Sequence, residues 1–241
     1  MAAPDGSGFW VLVDNTSIVK IDTTGATVTT WPVSGWGKMS GAISPNGSTA
    51  YVFSPVYPGL IAVNLATGTT TNGPAVGNIG PLAVSPDGTF LIMATGTQSA
   101  TGVIGKCSTT FTGGTQTITW ASRLGVAYAN AQVYSVAVSA DSKMFFYGGQ
   151  YGFWGYGWTS NMAVFDSPNA PGSNTTYPIE MLCVTENDGI YIAESGGTAG
   201  TARYDGVILP QARIYGFPGT TFTCDPVGTN NGQHFAEVIL G

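Results

Sequence analysis

The chain has 241 residues and a net charge of −6, with only 8% of its residues Asp, Glu, Lys or Arg, against about 25% in an ordinary soluble domain. Apolar residues make up 43%, which together with the weak charge excludes disorder. The basic residues stand singly (Lys20, Lys38, Lys106, Arg123, Lys143, Arg203, Arg213), which excludes the clustered cationic face that nucleic acids require.

The first element in chain order is a turn, Pro4-Asp5-Gly6, followed by the strand-like run Phe9-Trp10-Val11-Leu12-Val13. The same pair returns along the chain. Ala42-Ile43-Ser44-Pro45-Asn46-Gly47 precedes Ala50-Tyr51-Val52-Phe53, and Ala83-Val84-Ser85-Pro86-Asp87-Gly88 precedes Phe90-Leu91-Ile92-Met93. Weaker copies place Ala137-Val138-Ser139-Ala140-Asp141-Ser142 before Met144-Phe145-Phe146-Tyr147, and Cys183-Val184-Thr185-Glu186-Asn187-Asp188-Gly189 before Ile190-Tyr191-Ile192. Pro presets φ, Asp or Asn caps the turn and Gly takes the positive φ, so each copy predicts an antiparallel hairpin.

A third strand follows each hairpin and ends in Asp or Asn: Ile18-Val19-Lys20-Ile21-Asp22, Ile61-Ala62-Val63-Asn64 and Met162-Ala163-Val164-Phe165-Asp166. Ala212-Arg213-Ile214-Tyr215-Gly216 keeps the strand without the acid, and Thr-rich fourth strands are expected at 27–30, 69–71, 115–119 and 220–223. Four strands per unit is the pattern of a propeller blade. The turn residues Asp5, Asn46, Asp87, Asp141 and Asp188 lie 41, 41, 54 and 47 apart, close to the roughly 40–50 residues of a blade.

The expectation is therefore all-β: one five-bladed β-propeller of four-stranded antiparallel blades over 1–241. The blades run approximately over 1–31 with 234–240, 39–73, 81–120, 133–177 and 180–224. The first blade opens at its turn without an innermost strand, and the run His234-Phe235-Ala236-Glu237-Val238-Ile239-Leu240 supplies it, closing the ring and leaving no open edge. A six-bladed ring would need a further turn between Cys107 and Gln132.

The Ser-Pro-Asp-Gly turn between apolar strands, with a later apolar-Asp turn, resembles the YVTN-type propeller repeat. The resemblance covers nearly the whole chain and implies architecture; that family includes surface-layer-like proteins and lactonase-like enzymes. The low charge without a visible signal peptide also resembles bacteriophage head or tail structural proteins, and favours a virion or an extracellular surface.

Chemistry-bearing residues are few. Asp5, Asp22, Asp87, Asp141, Asp166 and Asp188 are turn or strand-end residues, and of the remaining acids only Glu237 falls on a channel-lining strand, short of the converging carboxylates of a glycosidase. His234 is the single histidine, which excludes a multi-His metal site, and it reads as a rim residue. Cys107, Cys183 and Cys224 have no C-x-x-C pairing. Glu186-Asn187-Asp188-Gly189 lacks the full ligand set of a calcium loop. No catalytic set, cofactor or metal is expected.

The long b–c and d–a loops at 54–60, 94–102, 148–160 and 194–211 make that face the expected working face. Eight of the 28 aromatics lie within 145–158, the last of them alternating with Gly. Such a segment does not predict a packed strand, so Tyr151, Phe153, Trp154, Tyr156 and Trp158, with Tyr57, Arg203 and Tyr204, are the expected binding residues. Two accounts stay open: a platform for sugar or protein, or a loop plugging the channel. The function expected is a non-enzymatic interaction and structural module of a larger assembly, whose partners are proteins or surface glycans, with neither nucleic acid nor membrane insertion. A lectin-like binder and a lactonase-like hydrolase are the alternatives.

Overall fold

The computed structural model describes residues 1–13, 17–32, 41–54, 59–76, 80–95, 103–114, 116–123, 133–149, 154–167, 179–184, 190–196 and 203–207. These contain no helix; they form nineteen strands in five sheets. The residues divide into two compact units, one of Met1–Gly96 with Val103–Trp120, the other of Thr97–Gly102 with Ala121–Gly241.

The first unit holds three sheets. Sheet one is β1 (Gly8–Val13), β2 (Ser17–Asp22) and β3 (Thr27–Pro32); sheet two is β4 (Gly41–Ile43), β5 (Thr49–Ser54), β6 (Gly59–Asn64) and β7 (Thr70–Ala75). Sheet three is β8 (Leu82–Val84), β9 (Phe90–Thr95), β10 (Val103–Ser108) and β11 (Thr119–Trp120). All their pairings are antiparallel. The expected fourth strand at 115–119 is the two-residue β11; the Gly113-Gly114 pair, both at positive φ, delays pairing until Thr119.

The expected hairpins hold, and a recurrent clamp fixes them. In sheet two the Ser44 hydroxyl donates to Asn46 Oδ1 at 2.7 Å and accepts the Thr49 amide at 3.0 Å. Ser85 does the same with Asp87 and Phe90 at 2.6 and 3.1 Å, and Ser139 of the second unit with Asp141 and Met144 at 2.8 and 2.9 Å. Ser85 and Ser139 are completely buried, so the clamp satisfies groups that water cannot reach. In the first turn Ala3 stands where the others have Ser. There the clamp is reduced to backbone bonds (Ala3 N–H to Gly8 O and Gly6 N–H to Ala3 O, each 2.9 Å) and the Ser7 amide and hydroxyl on Asp5.

Alternating side chains knit the sheets of this unit together. Trp10 and Ile18 of sheet one pack with Ala50, Val52, Ile61 and Val63 of sheet two; the other face, Tyr51, Phe53 and Leu60, packs with Leu91, Met93 and Cys107 of sheet three. The turns abut as well: a Cβ on Gly47 would stand 3.6 Å from the Pro4 ring, and one on Gly88 3.6 Å from the Pro45 ring. The innermost lane of sheet one is not empty as expected. Ala2 bridges Phe9, and Met1 exchanges hydrogen bonds of 2.9 and 2.8 Å with Trp10. The residues expected to fill that lane, 234–240, lie outside the described residues.

The second unit holds sheet four, β12 (Ser122–Arg123), β13 (Val133–Val138), β14 (Met144–Gly149), β15 (Trp154–Trp158) and β16 (Ala163–Ser167), and sheet five, β17 (Ile179–Val184), β18 (Ile190–Gly196) and β19 (Arg203–Val207). β12 joins the outer edge of sheet four parallel to β16, as a fifth strand. Among the described residues, 107–132 contribute to sheets three and four and build no sixth sheet. The third strand of sheet five is β19, inside what reads as a loop at 194–211; the run 212–216 expected there lies outside the described residues.

Candidate functional site

The aromatic segment departs most from expectation. Residues Trp154–Trp158 form a strand paired on both sides, with Phe145 opposite Gly157, Tyr147 opposite Gly155, and Trp154 opposite Ser167. Gly155 and Gly157 are buried, and a Cβ on Gly157 would come within 2.3 Å of the Phe145 ring and 2.8 Å of the Ala163 carbonyl. The bulk that a strand interior needs is supplied from across the pair by Phe145 and Tyr147, whose rings lie 6.3 Å apart. Glycine here accommodates a neighbour's ring, the arrangement known as aromatic rescue.

Register then corrects the geometry of the expected platform. Trp154 begins β15 at its junction with β14, and Trp158 ends it beside the turn to β16. At roughly 3.3 Å per residue the two Cα atoms are about 13 Å apart. Trp158 therefore lies at the end carrying the Asx turns, opposite to the expected b–c face. Arg203 and Tyr204 are strand residues, paired with Gly196 and Ser195. Tyr57, Tyr151, Phe153, His234 and Glu237 lie outside the described residues, as does the 186–189 loop.

Trp158 occupies a position that sheets one, two and three give to a polar cap. Counting from the clamped hairpins, it matches Asp22, Asn64 and Ser108. Asp22 Oδ1 accepts the Thr24 and Ala26 amides at 2.8 and 3.0 Å, Asn64 Oδ1 accepts the Ala66 and Thr67 amides at 2.9 and 3.1 Å, and Ser108 Oγ accepts the Thr110 amide at 3.1 Å. An indole cannot accept these bonds. The turn in sheet four is held instead by Asn161 on the Ala163 amide, at 3.0 Å, and by the Met162 amide on Trp158 O, at 2.8 Å, with Met162 at φ 55°. The Trp158 side chain is 36% exposed.

A second feature was not legible in the sequence. A cleft of about 420 Å³ opens between sheets one and two on the turn side, walled by Trp10, Lys20, Asp5, Pro45, Asn46 and Leu65. The Lys20 ammonium lies 5.8 Å from the Trp10 ring centre. Asp5 is held below the ordinary carboxylate range by the Ser7 hydroxyl and amide and, further off, by Lys20.

The other described acids are engaged in their own turns. The Thr24 hydroxyl, then the Ala26 and Thr24 amides, lower Asp22. Burial pushes Asp87 and Asp141 up, but hydrogen bonds prevail and leave both low: Ser85 and Thr89 for the first, the Lys143 amide and Ser139 for the second. Asp141 also pairs with Lys143 at 3.1 Å. Burial pushes the Cys107 thiol up to about 12, far from a nucleophile's range. Among the described residues no three His, Cys, Asp or Glu side chains cluster.

No family model matches the chain, and no curated protein matches it in sequence. Similarity lies in shape. Hydrazine synthase of Kuenenia stuttgartiensis aligns at TM-score 0.62 and 15% identity, over 85% of this chain and 61% of that one, so the chain spans under two thirds of that protein's length. The Cps50 (Swd1) β-propeller domain of Myceliophteria thermophila aligns at TM-score 0.61 and 14% identity, over 99% of this chain and 71% of that one. At these identities the likeness fixes architecture and not activity. The chain is an all-β protein with the β-propeller fold, built from antiparallel sheets of the four-strand blade type.

Proposed function

We propose that this chain is a non-enzymatic β-propeller that binds a protein partner as a module of a larger assembly. The observation that carries this reading is Trp158: an exposed indole where three other sheets place a polar turn cap. Replacing a cap with an exposed ring gives up turn stability for contact area, and Trp is the residue type most enriched at binding hot spots. The weakly charged, Thr- and Asn-rich composition suits a surface packed in an assembly, a virion among them.

The five sheets are five blades of a closed ring in this proposal, with 234–240 continuing the lane begun by Met1 and Ala2. The apolar face of sheet one, where Phe9, Val11 and Val13 are 36–38% exposed, supports such closure. The same indole favours a second reading, a sugar ring stacked on Trp158.

The test is a screen of displayed peptides and arrayed glycans against the wild-type chain and Trp158→Asn, the substitution that restores the cap. Binding lost at least tenfold in the variant, with the melting temperature unchanged or slightly raised, is the expected result; peptide or glycan hits separate the two readings. Binding that Trp158→Asn leaves intact, or a wild type that binds nothing, overturns both.

A further inference from the structure

The seams on the two sides of sheet two are built alike and filled differently. By register Trp10 and Tyr51 are equivalent, as are Lys20 and Ala62. At the seam between sheets two and three, Phe111, from the turn that follows β10, stands edge-on to Tyr51 at 5.5 Å between ring centres and lies against Gly73. At the seam between sheets one and two, the corresponding turn follows β6 and carries Ala66 and Thr67, both exposed. Trp31 closes the outer part of this seam, over Gly68 and with its indole N–H on Leu65 O at 3.1 Å. The space beside Trp10 stays open: it is the cleft of about 420 Å³, within the size range of ligand pockets.

Lys20 adds a charge that the filled seam lacks. It is half-buried, and no carboxylate of the described residues lies within ion-pair distance of it. Asp5, the one acid in the lining, is committed to Ser7 at the exposed rim. The floor therefore presents the small part of Trp10 that reaches the cleft, 6% of the residue, with a cation beside it.

We propose that the cleft between sheets one and two receives an aromatic side chain of a partner protein with a neighbouring carboxylate, the ring against Trp10 where Phe111 meets Tyr51 and the carboxylate at Lys20. The inference rests on the protein-binding reading for the kind of ligand, and gives it a second contact independent of Trp158. One ring contact and one charge contact make a small interface, so a short peptide should bind with a Kd of about 1 mM.

The probe is acetyl-Phe-Glu-amide, titrated to about 5 mM, where a millimolar site fills. The readout is the indole N–H resonance of Trp10, identified by its loss in Trp10→Phe. That resonance should shift with acetyl-Phe-Glu-amide, and about fivefold more weakly with acetyl-Phe-Gln-amide or acetyl-Ala-Glu-amide. Ala66→Phe, which supplies the missing ring from the chain itself, should abolish the shift and raise the melting temperature. Lys20→Gln should lower affinity for the acidic peptide to that of its amide, and Asp5→Asn should tighten binding; these two arms stand even if the Ala66 variant does not fold. A Trp10 signal unmoved by the acidic peptide, or moved equally by all three, overturns the proposal. Trp158-dependent binding with Trp10 unmoved would end the cleft proposal alone; a Trp10 shift without any Trp158-dependent partner would end the Trp158 reading alone.

Discussion

Sheets two and four share one hairpin clamp and differ in where they carry their bulk. In sheet two the facing pairs are Ala50 with Val63 and Val52 with Ile61; the matching pairs in sheet four are Phe145 with Gly157 and Tyr147 with Gly155. Moderate side chains on both strands have become a large ring on one and nothing on the other. Packing constrains the summed volume of a facing pair more than either member. What the exchange alters is the third strand, which in sheet two ends in a capping Asn64 and in sheet four in an exposed Trp158. Between these two sheets the turn clamp is the same and the third strand differs.

The sharpest way to break this comparison is to put bulk back on one side only. Gly157→Val should destabilise the chain by roughly 3 kcal/mol, the upper part of the range for overpacking, since its Cβ meets both a ring and a backbone oxygen. Phe145→Ala alone should cost about as much through the cavity it leaves. The double variant recreates the Ala50–Val63 pair, and its denaturation midpoint should exceed that of either single variant. Additive losses would mean that the volumes are not exchanged.

The clamp is the next largest effect. Ser85→Ala leaves the buried Phe90 amide without its acceptor and removes one of the hydrogen bonds to the Asp87 carboxylate, which keeps those from Thr89, and should lower stability by about 1–3 kcal/mol. Ala3→Ser is the converse change, offering the first turn the clamp it lacks, with a gain of at most about 1 kcal/mol. Thermal unfolding of both variants tests whether the serine, rather than the Pro-Asx-Gly backbone, distinguishes the turns.

The hairpins were legible because their signal is local. Ser, Asx and Gly act within six residues, and the structure bears out every such turn among the described residues. Ser142, at φ 61° where the others have Gly, shows the backbone demand outlasting the preferred residue. The aromatic strand was hidden because its glycines contradict strand propensity, and the compensation comes from Phe145 and Tyr147, about ten residues earlier. β19 reads as loop in the sequence because Arg203-Tyr204-Asp205-Gly206-Val207 is short and carries Asp-Gly, a turn signal, in its middle. The cleft beside Trp10 could not be foreseen at all: it arises from a ring that one inter-sheet turn carries and its counterpart does not.

The smallest effect concerns charge in the clamp, where sheet two, with Asn46, again differs from the sheets with Asp. The Asp87 and Asp141 carboxyls are held below the ordinary value of 3.8, so the folded chain binds their protons less readily than the unfolded one. That stability is fully present above about pH 4 and is lost as the pH falls through 3.8 toward the lower folded values. Asn46 does not titrate, so its turn contributes no such slope. The melting temperature should be level in these groups' contribution between pH 7 and pH 5 and decline below pH 4. Asp87→Asn, which copies the turn of sheet two, should melt below the wild type at pH 7, and the gap should narrow as the pH approaches 3. High salt should leave most of the gap in place, because the Ser85 and Thr89 hydrogen bonds outweigh the Lys106 charge. A gap that does not change with pH would show that the Asp87 turn holds its acceptor as the Asn46 turn does, by geometry alone and without use of the charge.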